Sequence, residues 1–126
     1  MTWTLLHDRM TFMTELIHAA ETDPEAALEL GDRASEVSRL FGDEEGLLLS
    51  LRHRWMTRLV AKLDQAAHDG IPGEQARADL AAAQPGLHAL LDVASRRSLR
   101  VRSLSCVEQR AIDVFDGPTG DRQTVA

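Results

Sequence analysis

Two pairs of side chains have the spacing that metal chemistry uses. Glu15 and His18 form an E-x-x-H turn, and Asp64 and His68 stand four residues apart. Each pair therefore shares one face of a helix. In an up-down-up bundle the two carrying helices run parallel, and the four groups converge near one end. A carboxylate-bridged di-iron bundle, however, takes two E-x-x-H turns and two further glutamates, and this chain has one such turn. His18 and His68 also fall at expected helix C-termini, where a histidine complements the helix dipole. That simpler reading leaves no cofactor expected, with a metal-binding bundle as the alternative.

The basic residues form a second constellation. They are 13 Arg and one Lys, a skew that fits a GC-rich bacterial coding bias. Residues 1–50 hold 11 acids and 3 bases, and residues 51–126 hold 9 acids and 11 bases. Two clusters stand out: Arg52, Arg54, Arg58 and Lys62, then Arg96, Arg97, Arg100 and Arg102. They read either as solvated faces paired with the acidic second helix or as a surface for an acidic protein partner. A nucleic-acid-binding regulator is the remaining alternative. The net charge of −6 and the lack of interleaved aromatics or a recognition motif weigh against it.

Other signals are slighter. His7-Asp8 and Arg52-His53-Arg54-Trp55 contain acid–base groups, but sequence neighbours on a helix do not face one another. Cys106 falls in the first turn of an expected helix, where a thiol pKa can drop, although a buried inert thiol is the commoner arrangement. The chain has no Gly-rich phosphate loop, no G-x-S-x-G and no paired cysteines. No disulfide can form within it, there is no basic leader with an apolar run, and no stretch is apolar enough to span a membrane. A cytoplasmic protein is expected.

Helices must position these groups. Ala and Leu abound, aromatics are few and Tyr is absent, which argues against strands. The organising element is the stretch 43–68, with Leu48, Leu51, Trp55, Leu59, Leu63 and Ala66 on one stripe and Met56, Val60 and Ala67 widening it. A helix that long runs roughly 39 Å. Before it, residues 2–20 carry Trp3, Leu6, Met10, Met13, Ile17 and Ala20 at bundle-seam spacing, with Leu5, Phe12, Leu16 and Ala19 beside them. Two apolar strips imply contact from two directions, one of them across a dimer interface.

Asp23-Pro24-Glu25 opens a second helix, expected to run through Ala27, Leu30, Ala34, Val37 and Phe41 to Gly42. Gly31 inside it suggests close approach of a neighbour. Asp69-Gly70-Ile71-Pro72 stops the long helix. A fourth helix follows over 72–83 and a fifth from Pro85 to about Ser98. Residues 98–103 alternate apolar and basic, and read as extended or helical. Ser105 and Glu108 form a capping box that opens a last helix to about Phe115. Leu30-Gly31 through Leu51 resembles the helix pairs of tetratricopeptide-like repeats as a helical hairpin, in a single copy.

The expected fold is therefore all-α, an irregular bundle of five to six helices packed around residues 43–68. Residues 1–116 form one domain and 117–126 a disordered tail. The expected function is a small non-enzymatic interaction or regulatory module, homodimeric or bound to an acidic protein. Trp3, Met10, Met13 and Trp55 are the expected anchors, with Arg96, Arg97, Arg100 and Arg102 steering the partner.

Overall fold

The computed structural model describes residues 2–115 in full. The expected end of the last helix near Asp116 and the expected tail over 117–126 lie outside those residues. The described residues form an all-α bundle, without a strand among them. In order the helices are α1 (Trp3–Ala20), α2 (Pro24–Ala27), α3 (Ala34–Phe41), α4 (Glu44–Asp69), α5 (Gly73–Ala83), α6 (Pro85–Arg97) and α7 (Leu99–Val125), with a 3-10 turn at Gly31–Arg33.

The caps follow local chemistry. Thr2 Oγ1 accepts from Leu5 N at 3.1 Å, Asp23 Oδ1 from Ala26 N at 3.1 Å and Asp43 Oδ1 from Gly46 N at 2.7 Å. Each satisfies an N–H that the first helical turn leaves without a partner. Gly70 closes α4 in the left-handed conformation (φ 72, ψ 24), and Ile71 N donates to Ala66 O at 2.8 Å.

α4 buries Leu48, Leu51, Trp55, Leu59, Leu63 and Ala66, which is the whole expected stripe. The expected widening holds at Met56, half-buried against the core, and fails at Val60, 49% exposed, and at Ala67, also exposed. On the stripe's other side Leu47 is buried, and Arg52 is buried within the stripe itself. α3, α5, α6 and α7 pack on α4. α6 is a second hub, touching α1, α2, α4, α5 and α7. Its buried residues Gly86, Leu87, Leu90, Leu91, Val93 and Ala94 cover a broad arc, as a helix covered from several directions requires. α1 joins the bundle through α6 and α2, and to a lesser extent α3.

Three expectations are corrected. The second helix is two helices, α2 and α3, divided by the 3-10 turn. Gly31 has φ +45, and a Cβ built there meets nothing within 4 Å. It serves the break in the chain, not a close approach. Close approach occurs instead at Gly86, where a Cβ would collide with the Ile17 carbonyl oxygen of α1. Finally, Ser105 and Glu108 cap nothing, because α7 already begins at Leu99. Ser98 separates α6 from α7 in an extended conformation (φ −131, ψ 122), and its Oγ accepts from Val101 N at 3.3 Å. The alternation over 98–103 is thus one extended residue followed by helix.

Candidate functional site

α1 lays two faces to different surroundings. Phe12, Met13, Leu16 and Ala20 are buried. Trp3 is 81% exposed, Leu6 42% and Met10 51%. These three follow one another at spacings of three and four, so they form one ridge along α1. Single exposed apolar residues need no explanation, but a contiguous row of large ones marks a surface that another molecule covers.

Beside that ridge runs a groove of about 550 Å³ between α1, the end of α3 and α4. Leu6, Met10, Met13, Phe41 and Leu49 give it an apolar floor. Arg9, His53, Arg54 and Arg58 stand along it, and no acid is among the described lining residues. Arg54 is half-buried. Its Nη2 donates to Thr14 Oγ1 at 3.5 Å, while its Nη1 is buried with no hydrogen-bond partner. Burial, and then the neighbouring charge of Arg58, pulls the Arg54 guanidinium below its ordinary pKa. Both effects are relieved by an anion placed next to it.

A second concavity, of about 530 Å³, opens between α4, α5, α6 and α7. Its inner wall is a buried charge network. Glu108 is 6% exposed and Arg52 5%. Glu108 Oε1 accepts from Trp55 Nε1 at 2.8 Å and from Arg52 Nη2 at 2.7 Å. Glu108 Oε2 accepts from Arg77 Nη1 at 3.2 Å. Arg52 Nη2 also reaches Leu104 O at 3.2 Å, and Arg52 Nε is buried without a partner. Burial lowers the Arg52 pKa, with Glu108 opposing that shift. His88 lies 5.6 Å from the Trp55 ring, centroid to centroid. Apart from Arg52 Nε, the charged groups here pair with one another and so tie α4, α5 and α7 together.

At the edge of the network, Glu74 accepts from Gln109 Nε2 at 3.0 Å and from Arg77 Nη2 at 2.7 Å. The Gln109 hydrogen bond, then Arg77, holds its carboxyl below the usual carboxylate pKa. A depressed folded-state pKa stabilises the fold above the ordinary carboxylate range, and that contribution disappears as pH falls through the folded value. Glu74→Gln is therefore expected to lower the thermal midpoint near neutrality, with the gap to the native protein closing under acid. A constant gap across an acid titration of the midpoint would contradict this.

The sequence-derived site residues are dispersed. Trp3 and Met10 lie on the exposed ridge, and Met13, 9% exposed, forms part of the groove floor. Trp55 is 2% exposed and hydrogen-bonded inside the core, so it does not serve as an anchor for a partner. The arginine cluster is turned to the protein itself. Arg96 pairs with Glu25 at 2.8 Å, and Arg97 with Glu44 at 3.1 Å and with Leu28 O at 3.2 Å. Arg100 pairs with Glu45 at 3.6 Å, and Arg102 Nε donates to Ser95 O at 3.0 Å. These contacts tie the α6–α7 junction to α2 and the start of α4, and they account for much of the charge imbalance between the chain's halves.

The four metal candidates do not converge. Glu15 faces Arg33 at 3.9 Å and His18 faces Glu21 at 3.6 Å. Among the described residues no group of three or more His, Cys, Asp or Glu could hold an ion. Asp64 and His68 are exposed on α4. Cys106 is exposed in mid-helix, neither in a first turn nor buried. No helix of the described residues is long and apolar enough to cross a membrane.

Sequence reasoning named Arg54 and Arg58 within a basic cluster but not the groove they line, and it overlooked the Glu108 network, although signals for the network existed. Arg52 stands in α4's buried stripe between Leu48 and Trp55. Glu108 stands in the α7 series Val101, Leu104, Glu108, Ile112, Phe115. A charge inside each of two apolar stripes, opposite in sign, is the pattern of a buried pair. Compared with protein-family models, with curated proteins and with solved structures, the chain has no significant match.

Proposed function

We propose that this protein is a small non-enzymatic interaction module whose working face is the α1 ridge together with the groove beside it. The observation that carries this reading is the adjacency of exposed Trp3, Leu6 and Met10 to an apolar groove along which Arg9, His53, Arg54 and Arg58 stand, with no acid among its described lining residues. Apolar surface of that kind loses free energy in water at about 25 cal/mol per Å², so a partner that covers it is favoured. The polar concavity also holds a buried donor without a partner, Arg52 Nε, but its charges are paired within the protein, since Glu108 accepts from Trp55, Arg52 and Arg77.

Site-specific photo-cross-linking tests the reading. Benzoylphenylalanine placed at position 10, in cells that express the protein naturally, is expected to give a discrete higher-mass adduct. The same group at Asp79, exposed on α5 away from α1, is expected to give none. Absence of an adduct at position 10, or equal adducts at both, overturns the proposal.

A further inference from the structure

We infer that the groove between α1 and α4 receives an acidic amphipathic helix from a different protein; this rests on the groove being the working face. Shape gives the first argument. A ridge of Trp3, Leu6 and Met10 beside an apolar floor matches helix-in-groove docking, where the guest presents anchors at i, i+3 or i+4, and i+7. Val60, exposed on α4 and seven residues beyond His53, prolongs the same side of the host.

Charge gives the second argument, and it decides the occupant. Arg9, His53, Arg54 and Arg58 line the groove with no acid among the described lining residues. Arg9 and Arg58 are held by Leu40 O and by Gln84 Oε1, which fixes them at the rim. Arg54 Nη1 alone among the groove's arginine nitrogens is recorded as buried and unmet. That nitrogen is shielded from solvent, so a guest carboxylate at the groove surface pairs with the charge of the Arg54 guanidinium as a whole.

A second copy of the chain fits this less well. A two-fold dimer presents the same patch from both sides, so the two basic rims would face each other. The acids that α1 itself carries do not remedy this. Asp8 and Glu15 lie across the helix from Trp3 and Met10, engaged with Arg39 at 3.8 Å and Arg33 at 3.9 Å.

The test is selection from a displayed library of amphipathic helices about four turns long, with a fixed Leu/Phe seam and flanks drawn equally from Glu and Lys. The bait is the full-length protein, with the Leu6→Glu, Met10→Glu double variant as the comparison. Both substituted sites are exposed, and circular dichroism verifies that the variant keeps its fold. Selected helices are expected to carry Glu flanks and to bind the native protein roughly tenfold more tightly than their Lys-flanked counterparts at low salt. That preference is expected to shrink with added salt and in Arg54→Gln.

Selected helices with Lys flanks, or with no preference, overturn the acidic-partner inference and leave the groove reading standing. So does light scattering that shows a native dimer dissociated by Met10→Glu, because a second copy would then be the occupant. Helices that bind native protein and double variant alike overturn both.

Discussion

Glu108→Leu is expected to destabilise the protein by about 3–5 kcal/mol, the usual cost of removing one partner from a buried ion pair. Leucine at 108 leaves Arg52 as a cation at 5% exposure with only the Leu104 carbonyl recorded as its acceptor. It also leaves the buried Trp55 Nε1–H without its acceptor. Arg77 suffers less, because Glu74 still holds it at the more exposed edge. Most of the loss therefore comes from an uncompensated charge and not from the absent bonds. A second substitution should reveal this. Arg52→Met combined with Glu108→Leu removes both charges, and the double variant is expected to recover much of the stability that Glu108→Leu loses. Urea denaturation of native, single and double variants decides the matter. A double variant no more stable than Glu108→Leu would show that the network is not the dominant electrostatic element of the core.

Gly86→Ala is expected to reverse the ordinary sign of its kind. In a helix, alanine for glycine stabilises by up to about 1 kcal/mol. Here the new methyl group would meet the Ile17 carbonyl oxygen, with Glu21 Cγ and Ile17 Cγ2 also at 3.1 Å. A side chain can swing aside, but a backbone carbonyl inside α1 cannot move without shifting the helix. Overpacking of this type costs about 1–3 kcal/mol, sometimes more. The strain falls between α1 and α6, a contact through which α1 joins the bundle. Hydrogen exchange should therefore quicken over α1 before it quickens over α4. An unchanged or raised denaturation midpoint would mean that α1 docks loosely on α6.

Much of the architecture was readable because it depends on local rules. The stops at Asp23-Pro24, Gly42-Asp43 and Gly70 are caps, whose chemistry resides in a few adjacent residues. The α4 stripe depends only on a period of 3.6 acting on Leu48 through Ala66. The break at Gly31 was missed because apolar spacing continues smoothly from Ala27 to Phe41, and nothing local shows that the glycine takes a positive φ. The Ser105 capping box failed for the converse reason. A motif that suits a helix start also sits comfortably inside a helix already begun at Leu99.

The functional surface was only half readable. The α1 seam was visible as a row of apolar residues, yet periodicity assigns the same pattern to core and to surface. Met13 went inward and Met10 outward because α3 and α6 cover one side of α1 and leave the other open. The arginines at 96–102 looked available because their partners, Glu25, Glu44 and Glu45, lie some fifty to seventy residues earlier. Arg54 drew less notice than they did, yet it lines the groove and, like Arg52, ends with a buried donor unmet.

Composition and short-range spacing thus determined that this chain is helical, where most of its helices stop and which stripe of α4 is buried, since hydrogen bonding and periodicity act within a few residues. The choice of neighbours belonged to the tertiary structure. Packing kept the metal candidates apart, paired Arg96, Arg97 and Arg100 with acids of α2 and α4, and set Arg54 and Arg58 along an apolar groove. Charge pairing acts through space, at distances that the order of residues along a chain does not encode.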